Sequence, residues 1–202
     1  MTLTRIALDE FPENSLILVE EDAGDIKRLF VQMLASDALA MGKKVVYVTP
    51  RMKTDVLHEL AGYAGDKIEY FEVIEMTRDP AKLLDLCKAD VCIIENLPLF
   101  FVDALDRELV HVINGLVHSS RDGGRMILMT ADKGILLDKQ QKIIRAMSDG
   151  VIDLITVFVE NRISRYLFIQ KMRGSAPMST MLPYSVDGSG KKIYIDTRER
   201  YA

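Results

Sequence analysis

A chain of 202 residues is long enough for one well-filled hydrophobic core and short for two independent ones, so one domain over 1–202 is expected. Hydrophobic residues make up 49% and charged residues 28%; no apolar run approaches the roughly 18 residues of a spanning helix, and Arg5, Asp9 and Glu10 break any leader-like stretch, so a cytoplasmic globule with no membrane partner is expected. The formal net charge of −4, from 26 basic and 30 acidic side chains, disfavours a nonspecific nucleic-acid surface.

The first apolar run, SLILVE at 15–20, reads as a strand. After a turn at Gly24, Ile26, Leu29, Phe30, Met33 and Leu34 recur at helical spacing to about Met41, and Gly42 closes the helix. VVYVT at 45–49 is a second, β-branched strand ending at Pro50, and two strands around a helix form a βαβ unit with parallel strands covered on both faces. The alternation continues with a helix over 54–62, a strand over 67–75, a short helix over 80–87 and a strand over 91–94. A long helix over 103–119 has Leu105, Leu109, Val112 and Leu116 in one stripe, and a strand over 126–130 precedes a helix over 138–147 capped by Asp138. Beyond that, strands over 154–160 and 163–172 join around Asn161-Arg162, and strands over 184–186 and 192–196 flank the turn Asp187-Gly188-Ser189-Gly190. The expected fold is α/β: a mostly parallel central sheet with helices on both faces, and C-terminal antiparallel strands over 153–196 extending the same sheet.

Cys87 and Cys92 have no neighbouring metal-ligand pair, which favours a buried thiol at Cys92 over a disulfide framework or a zinc site. His58, His111 and His118 have no ligand set around them, no serine sits in a G-x-S-x-G elbow, and the first turn lacks a dinucleotide glycine signature. No metal site and no catalytic constellation is expected.

In an open parallel sheet, ligands bind beyond the carboxyl ends of the strands, and the first strand-to-helix turn offers free N–H groups to an anion. The turn here is Glu21-Asp22-Ala23-Gly24-Asp25-Ile26-Lys27-Arg28. A working Walker loop has glycine first and sixth, then lysine, then a hydroxyl residue for magnesium. On that spacing Glu21 and Ile26 replace the glycines, Lys27 stands at the phosphate lysine and Arg28 replaces the hydroxyl. Glu21 and Asp25 place negative charge beside a polyphosphate site, and Arg28 cannot ligate Mg²⁺ but can stand in as a built-in cation, paired with Asp25 or Glu95. Without that alignment, Lys27 is an ordinary first-turn lysine on the solvent face.

The segment 15–49, SLILVEEDAGDIKRLFVQMLASDALAMGKKVVYVT, resembles the opening of the KaiC-like branch of the RecA-superfamily P-loop ATPases, which includes the circadian-clock protein and the archaellum ATPase-like subunit. A second match is Lys171-Met172-Arg173-Gly174-Ser175, similar to the K-x-R-G pattern that follows a late strand in that family. The resemblance implies a RecA-like P-loop domain. It also makes ADVCIIEN at 89–96 the Walker B strand, with Glu95 where the family has aspartate, and puts Pro50-Arg51 where the family carries its water-activating glutamate. Vestigial cofactor positions are then Gly24, Lys27, Arg28 and Glu95. With both glycines, the hydroxyl and the base replaced, ordinary ATP hydrolysis is disfavoured.

In oligomeric relatives the late-strand cations reach the neighbouring subunit's nucleotide. The resemblance therefore implies an interface in which Lys171 and Arg173, placed on one strand face by alternation, meet the neighbour's Glu21, Asp22 and Asp25. A solvated edge-strand charge pair is the equal alternative. The leading expectation is a noncatalytic regulatory or scaffold protein without a cofactor, acting through a protein partner or as a homo-oligomer. A residual nucleotide-binding protein or slow ATPase using ATP and Mg²⁺ stands beside it, and a DNA-associated accessory protein ranks lower.

Overall fold

The computed structural model describes residues 3–5, 7–22, 24–64, 69–160, 162–176, 178–188 and 192–196. Ten strands form one sheet in the order β1-β10-β9-β8-β7-β2-β6-β5-β3-β4. The parallel part comprises β2 (Leu16–Glu21), β3 (Val45–Thr49), β4 (Phe71–Glu75), β5 (Val91–Ile94), β6 (Met126–Asp132) and β7 (Gly150–Val159). Antiparallel pairing then adds β8 (Arg162–Met172), β9 (Leu182–Val186), β10 (Ile193–Asp196) and β1 (Leu3–Arg5).

The apolar runs are continuous because both faces of the parallel strands are covered. Along β2, Ile17 and Val19 enter one core with Phe30, Leu34 and Leu60, from α1 (Ile26–Ala40) and α2 (Lys53–Ala64). Leu16 and Leu18 enter the opposite core, filled from α3 (Leu83–Leu86), α4 (Asp106–Gly123) and α5 (Asp138–Met147) by residues such as Leu83, Leu116 and Ile144. Alternation of side chains along each strand feeds the two cores from one stretch of sequence. Cys87 and Cys92 are free and buried in the second core. Among the described residues, no helix is long and apolar enough to cross a membrane.

Several local expectations need correction. The antiparallel part begins one strand later than residue 153: β7 lies parallel to β2, and the direction reverses between β7 and β8. β1 had no sequence signal because it is three residues long and its partner, β10, comes from the other end of the chain. α4 starts at Asp106, which leaves Leu105 as an exposed N-cap and not a member of the buried stripe. α5 is capped at Leu137, whose N–H donates to Gln140 Oε1 at 3.3 Å, while Asp138 lies in the first turn and pairs with Lys142. Residues 67–68, Asn161 and the Ser189-Gly190 half of the last turn lie outside the described residues.

Candidate functional site

β2 ends in two buried carboxylates, Glu20 and Glu21, at the carboxyl edge of the sheet. The backbone then turns through Gly24 into α1. Asp25 is the N-cap of α1, but its side chain caps no N–H; it pairs with Arg28 at 3.0 Å. The Glu21 carboxylate does the capping, accepting the backbone N–H of Lys27 at 3.1 Å. A Cβ at residue 24 would come within 2.5 Å of Glu21 Oε1, so glycine is what lets the loop close over that carboxylate. An anionic group thus already sits on the helix N-terminus, the place where a loop of this type holds phosphate.

Lys27 is buried, contrary to the solvent-face reading. Its Nζ lies 2.5 Å from Asp132 Oδ1 at the end of β6, donates to the Gly24 carbonyl at 2.5 Å, and is 3.8 Å from Glu21 Oε2. Asp132 is placed there because β6 is the neighbour of β2, with Glu21 and Asp132 in register. Asn96 Nδ2 donates to the other Asp132 oxygen at 2.9 Å, and the Asn96 backbone N–H donates to Thr130 Oγ1 at 2.7 Å.

The second half of the site is organised by Arg51 and Glu59. Arg51 forks onto Glu59, Nη1 to Oε2 at 2.9 Å and Nη2 to Oε1 at 2.5 Å, and Gln32 Nε2 adds a bond at 2.8 Å. These bonds, Arg51's first, hold the Glu59 carboxyl down at about 2 and push the Arg51 guanidinium up. Glu95 is buried, accepts Thr49 Oγ1 at 2.9 Å and lies 3.7 Å from Arg51 Nη1. Arg28 approaches Glu59 at 3.7 Å in addition to Asp25; Glu95 takes Arg51 as its cation, not Arg28. Beside the cleft, Glu20 pairs with Arg145 at 2.6 Å, and burial nevertheless raises its carboxyl above the ordinary value.

Gly24, Lys27, Arg28, Arg51, Glu95, Asn96 and Asp132 line a cleft of 620 Å³ at the carboxyl ends of β2, β6, β5 and β3. Each cation on its wall is met by a carboxylate of the same chain: Lys27 by Asp132, Arg28 by Asp25, Arg51 by Glu59 and Lys133 by Asp153 at 3.0 Å. An entering polyphosphate would have to displace Glu21 and compete with those carboxylates. Where the resemblance sets a water-activating glutamate, Arg51 presents a guanidinium, which cannot accept a proton. Gly24, Lys27, Arg28 and Glu95 all line this cleft. Glu59, Thr130 and Asp132 were not legible as site residues in the sequence; Asp132 in particular becomes a partner only through the strand order.

The expected interface residues divide between the two ends of the sheet. Asp22 and Asp25 are exposed at the cleft, whereas Glu21 is turned inward. Lys171 and Arg173 lie at the opposite end, because β8 runs antiparallel to the strands that carry the cleft. A bulge pairs Val151 with Lys171 and Ile152 with Ile169, and the strand stops at Met172, so simple alternation does not extend to Arg173. Gly174 takes a φ of 80°, a left-handed turn that suits glycine, and Ser175 N–H closes it onto the Met172 carbonyl at 3.1 Å. Arg173 Nη2 donates to the carbonyls of Glu13 at 2.6 Å and Asn14 at 2.9 Å, and Lys171 Nζ donates to the Ala146 carbonyl at 3.0 Å.

No protein-family model and no curated protein matches the sequence. Solved structures do match the fold. The flagellar accessory protein FlaH from Methanocaldococcus jannaschii superposes with a TM-score of 0.78 at 15% identity, over 92% of this chain and 91% of that one. A KaiC-like protein from Pyrococcus horikoshii superposes with a TM-score of 0.75 at 20% identity, over 96% of this chain and all of that one. With a parallel sheet, helices on both faces and an antiparallel C-terminal extension, the chain shares the RecA-like α/β fold of these two structures.

Proposed function

We propose that this chain is a noncatalytic member of the KaiC-like branch, a pseudo-ATPase that serves regulation or scaffolding by protein association. One observation carries the reading: Glu21 occupies the N-terminus of α1 as a resident anion while Lys27 is neutralised by Asp132. The groups that would bind and activate a nucleotide are engaged with one another, and the protein needs neither ATP nor Mg²⁺ to satisfy them. With hydrolysis set aside, the fold offers surfaces for a protein partner or for a second copy of itself; the net charge of −4 disfavours nucleic acid.

Calorimetric titration with Mg-ATP tests this directly. No binding is expected at low millimolar nucleotide, and a one-to-one complex of micromolar affinity would sink the proposal. The second reading, a residual nucleotide-binding protein, is favoured by the retention of Lys27 and an open cleft of 620 Å³; that titration decides between the two.

A further inference from the structure

Cys87 and Cys92 are the only cysteines of the sequence, and the fold brings both thiols to one place. Cys87 is the C-cap of α3 and Cys92 the second residue of β5, and both are fully buried in the core on the α4 side of the sheet. The Cys87 thiol hydrogen-bonds the Cys92 sulfur, and the Cys92 thiol donates to the Ala89 carbonyl at 3.5 Å.

The turn between the two cysteines is anchored on several sides. Lys44 N–H donates to Asp90 Oδ2 at 2.8 Å, Val91 N–H to the Lys44 carbonyl at 3.1 Å, and Met126 N–H to the Asp90 carbonyl at 3.0 Å. Arg125 Nε donates to the Lys88 carbonyl at 3.1 Å, and Ser119 Oγ to the carbonyl of Cys87 itself at 3.3 Å. With the backbone held in this way, touching thiols need only side-chain rotation to reach the S–S separation of about 2 Å in a disulfide.

Their surroundings make the two sulfurs unequal. The bond from Cys87 draws the Cys92 thiol below its ordinary value against the opposing effect of burial, and the nearby Arg125 guanidinium acts in the same direction while Asp90 opposes it. That same bond, together with burial, pushes the Cys87 thiol up. Cys92 is therefore the better nucleophile and Cys87 the thiol that resolves its product.

We propose that Cys87 and Cys92 form a redox site, closing reversibly to a disulfide that ties the end of α3 to β5. The oxidant is a small-molecule disulfide. The Cys92 thiolate attacks one of its sulfurs, breaking the S–S bond, forming a mixed disulfide and releasing one thiolate. Cys87, giving up its proton, then attacks Cys92 Sγ and displaces the second thiolate. The oxidant gains two electrons, the two protein thiols lose them, and their two protons end on the released thiols. Access comes through α3, a single turn of four residues and the kind of element that opens locally without global unfolding. The bond fastens that turn to the strand leading into Glu95 at the cleft, and it goes beyond the noncatalytic reading because it holds whatever the cleft contains.

Equilibration of the full chain with mixtures of reduced and oxidised glutathione, natively and in concentrated urea, is the test, read by alkylation of the remaining thiols, intact mass and peptide mapping. Natively, a link between residues 87 and 92 of one chain is expected, reversed by dithiothreitol. Its equilibrium constant should exceed that in urea by about tenfold or more, because the folded backbone presents the thiols to each other. Cys92 in Cys87→Ser is expected to form the mixed disulfide about tenfold faster than Cys87 in Cys92→Ser; the reverse order would overturn the choice of nucleophile. If either variant misfolds, the wild-type comparison decides alone. Thiols that stay free natively but close in urea, an equilibrium constant no higher in the native protein, or a disulfide between chains would overturn the proposal.

Discussion

The backbone N–H of Lys27 donates to the carboxylate of Glu21 at 3.1 Å, so the first turn of α1 is closed by a side chain from the strand that precedes it. The Lys27 ammonium is drawn back over the same turn to Asp132, and the pair is largely removed from water. A lysine held this way serves stability, whereas a lysine waiting for phosphate is free to serve binding.

Lys27→Met is therefore expected to destabilise the fold by about 3 kcal/mol, because it leaves Asp132 and Glu21 without their cation in a site of low exposure. Urea denaturation reads the effect. A variant with the wild-type midpoint would show that the ion pair contributes nothing to the folded state.

Acid should weaken the Arg51–Glu59 clamp in a defined window. The Glu59 carboxyl is held at about 2 against an ordinary 4.5, so its contribution is fully present above the ordinary value and is lost as the pH falls towards 2. Partial exposure screens the pair, which limits the contribution to about 1–2 kcal/mol. Glu20 acts with the opposite sign: burial raises its carboxyl, so protonation relieves a cost and favours the fold as the pH falls. Urea midpoints between pH 7 and pH 3 should fall less in Glu59→Gln, and fall more in Glu20→Gln, than in the wild type. Parallel curves for all three proteins would refute both assignments.

Arg173 is expected to behave as a staple of its own chain. Its guanidinium spans two carbonyls of the segment before β2, and its backbone N–H donates to the Asp149 carbonyl at 2.9 Å. Arg173→Ala should cost about 1–2 kcal/mol, since it removes both bonds that Nη2 donates to those carbonyls, and leave the mass by light scattering unchanged. Loss of self-association at full stability would instead give Arg173 the interface role that the K-x-R-G motif implies.

The sequence by itself determined the parallel βαβ core. Continuous runs such as VVYVT and VCII declare strands buried on both faces, and the helical stripe from Phe30 to Leu34 declares what covers one of those faces. It also placed Glu21, Lys27 and Arg28 in one eroded loop, because their spacing within eight residues is local information. Only the tertiary structure decided what those residues do. Asp132 reaches Lys27 because β6 lies beside β2, an adjacency not encoded in spacing along the chain, and Glu59, only eight residues from Arg51, becomes its partner once α2 has formed and turned that carboxylate back towards it. Whether a charged side chain serves a ligand, a partner or its own fold is an electrostatic question, settled by which opposite charge lies within a few ångströms after the strands have been ordered.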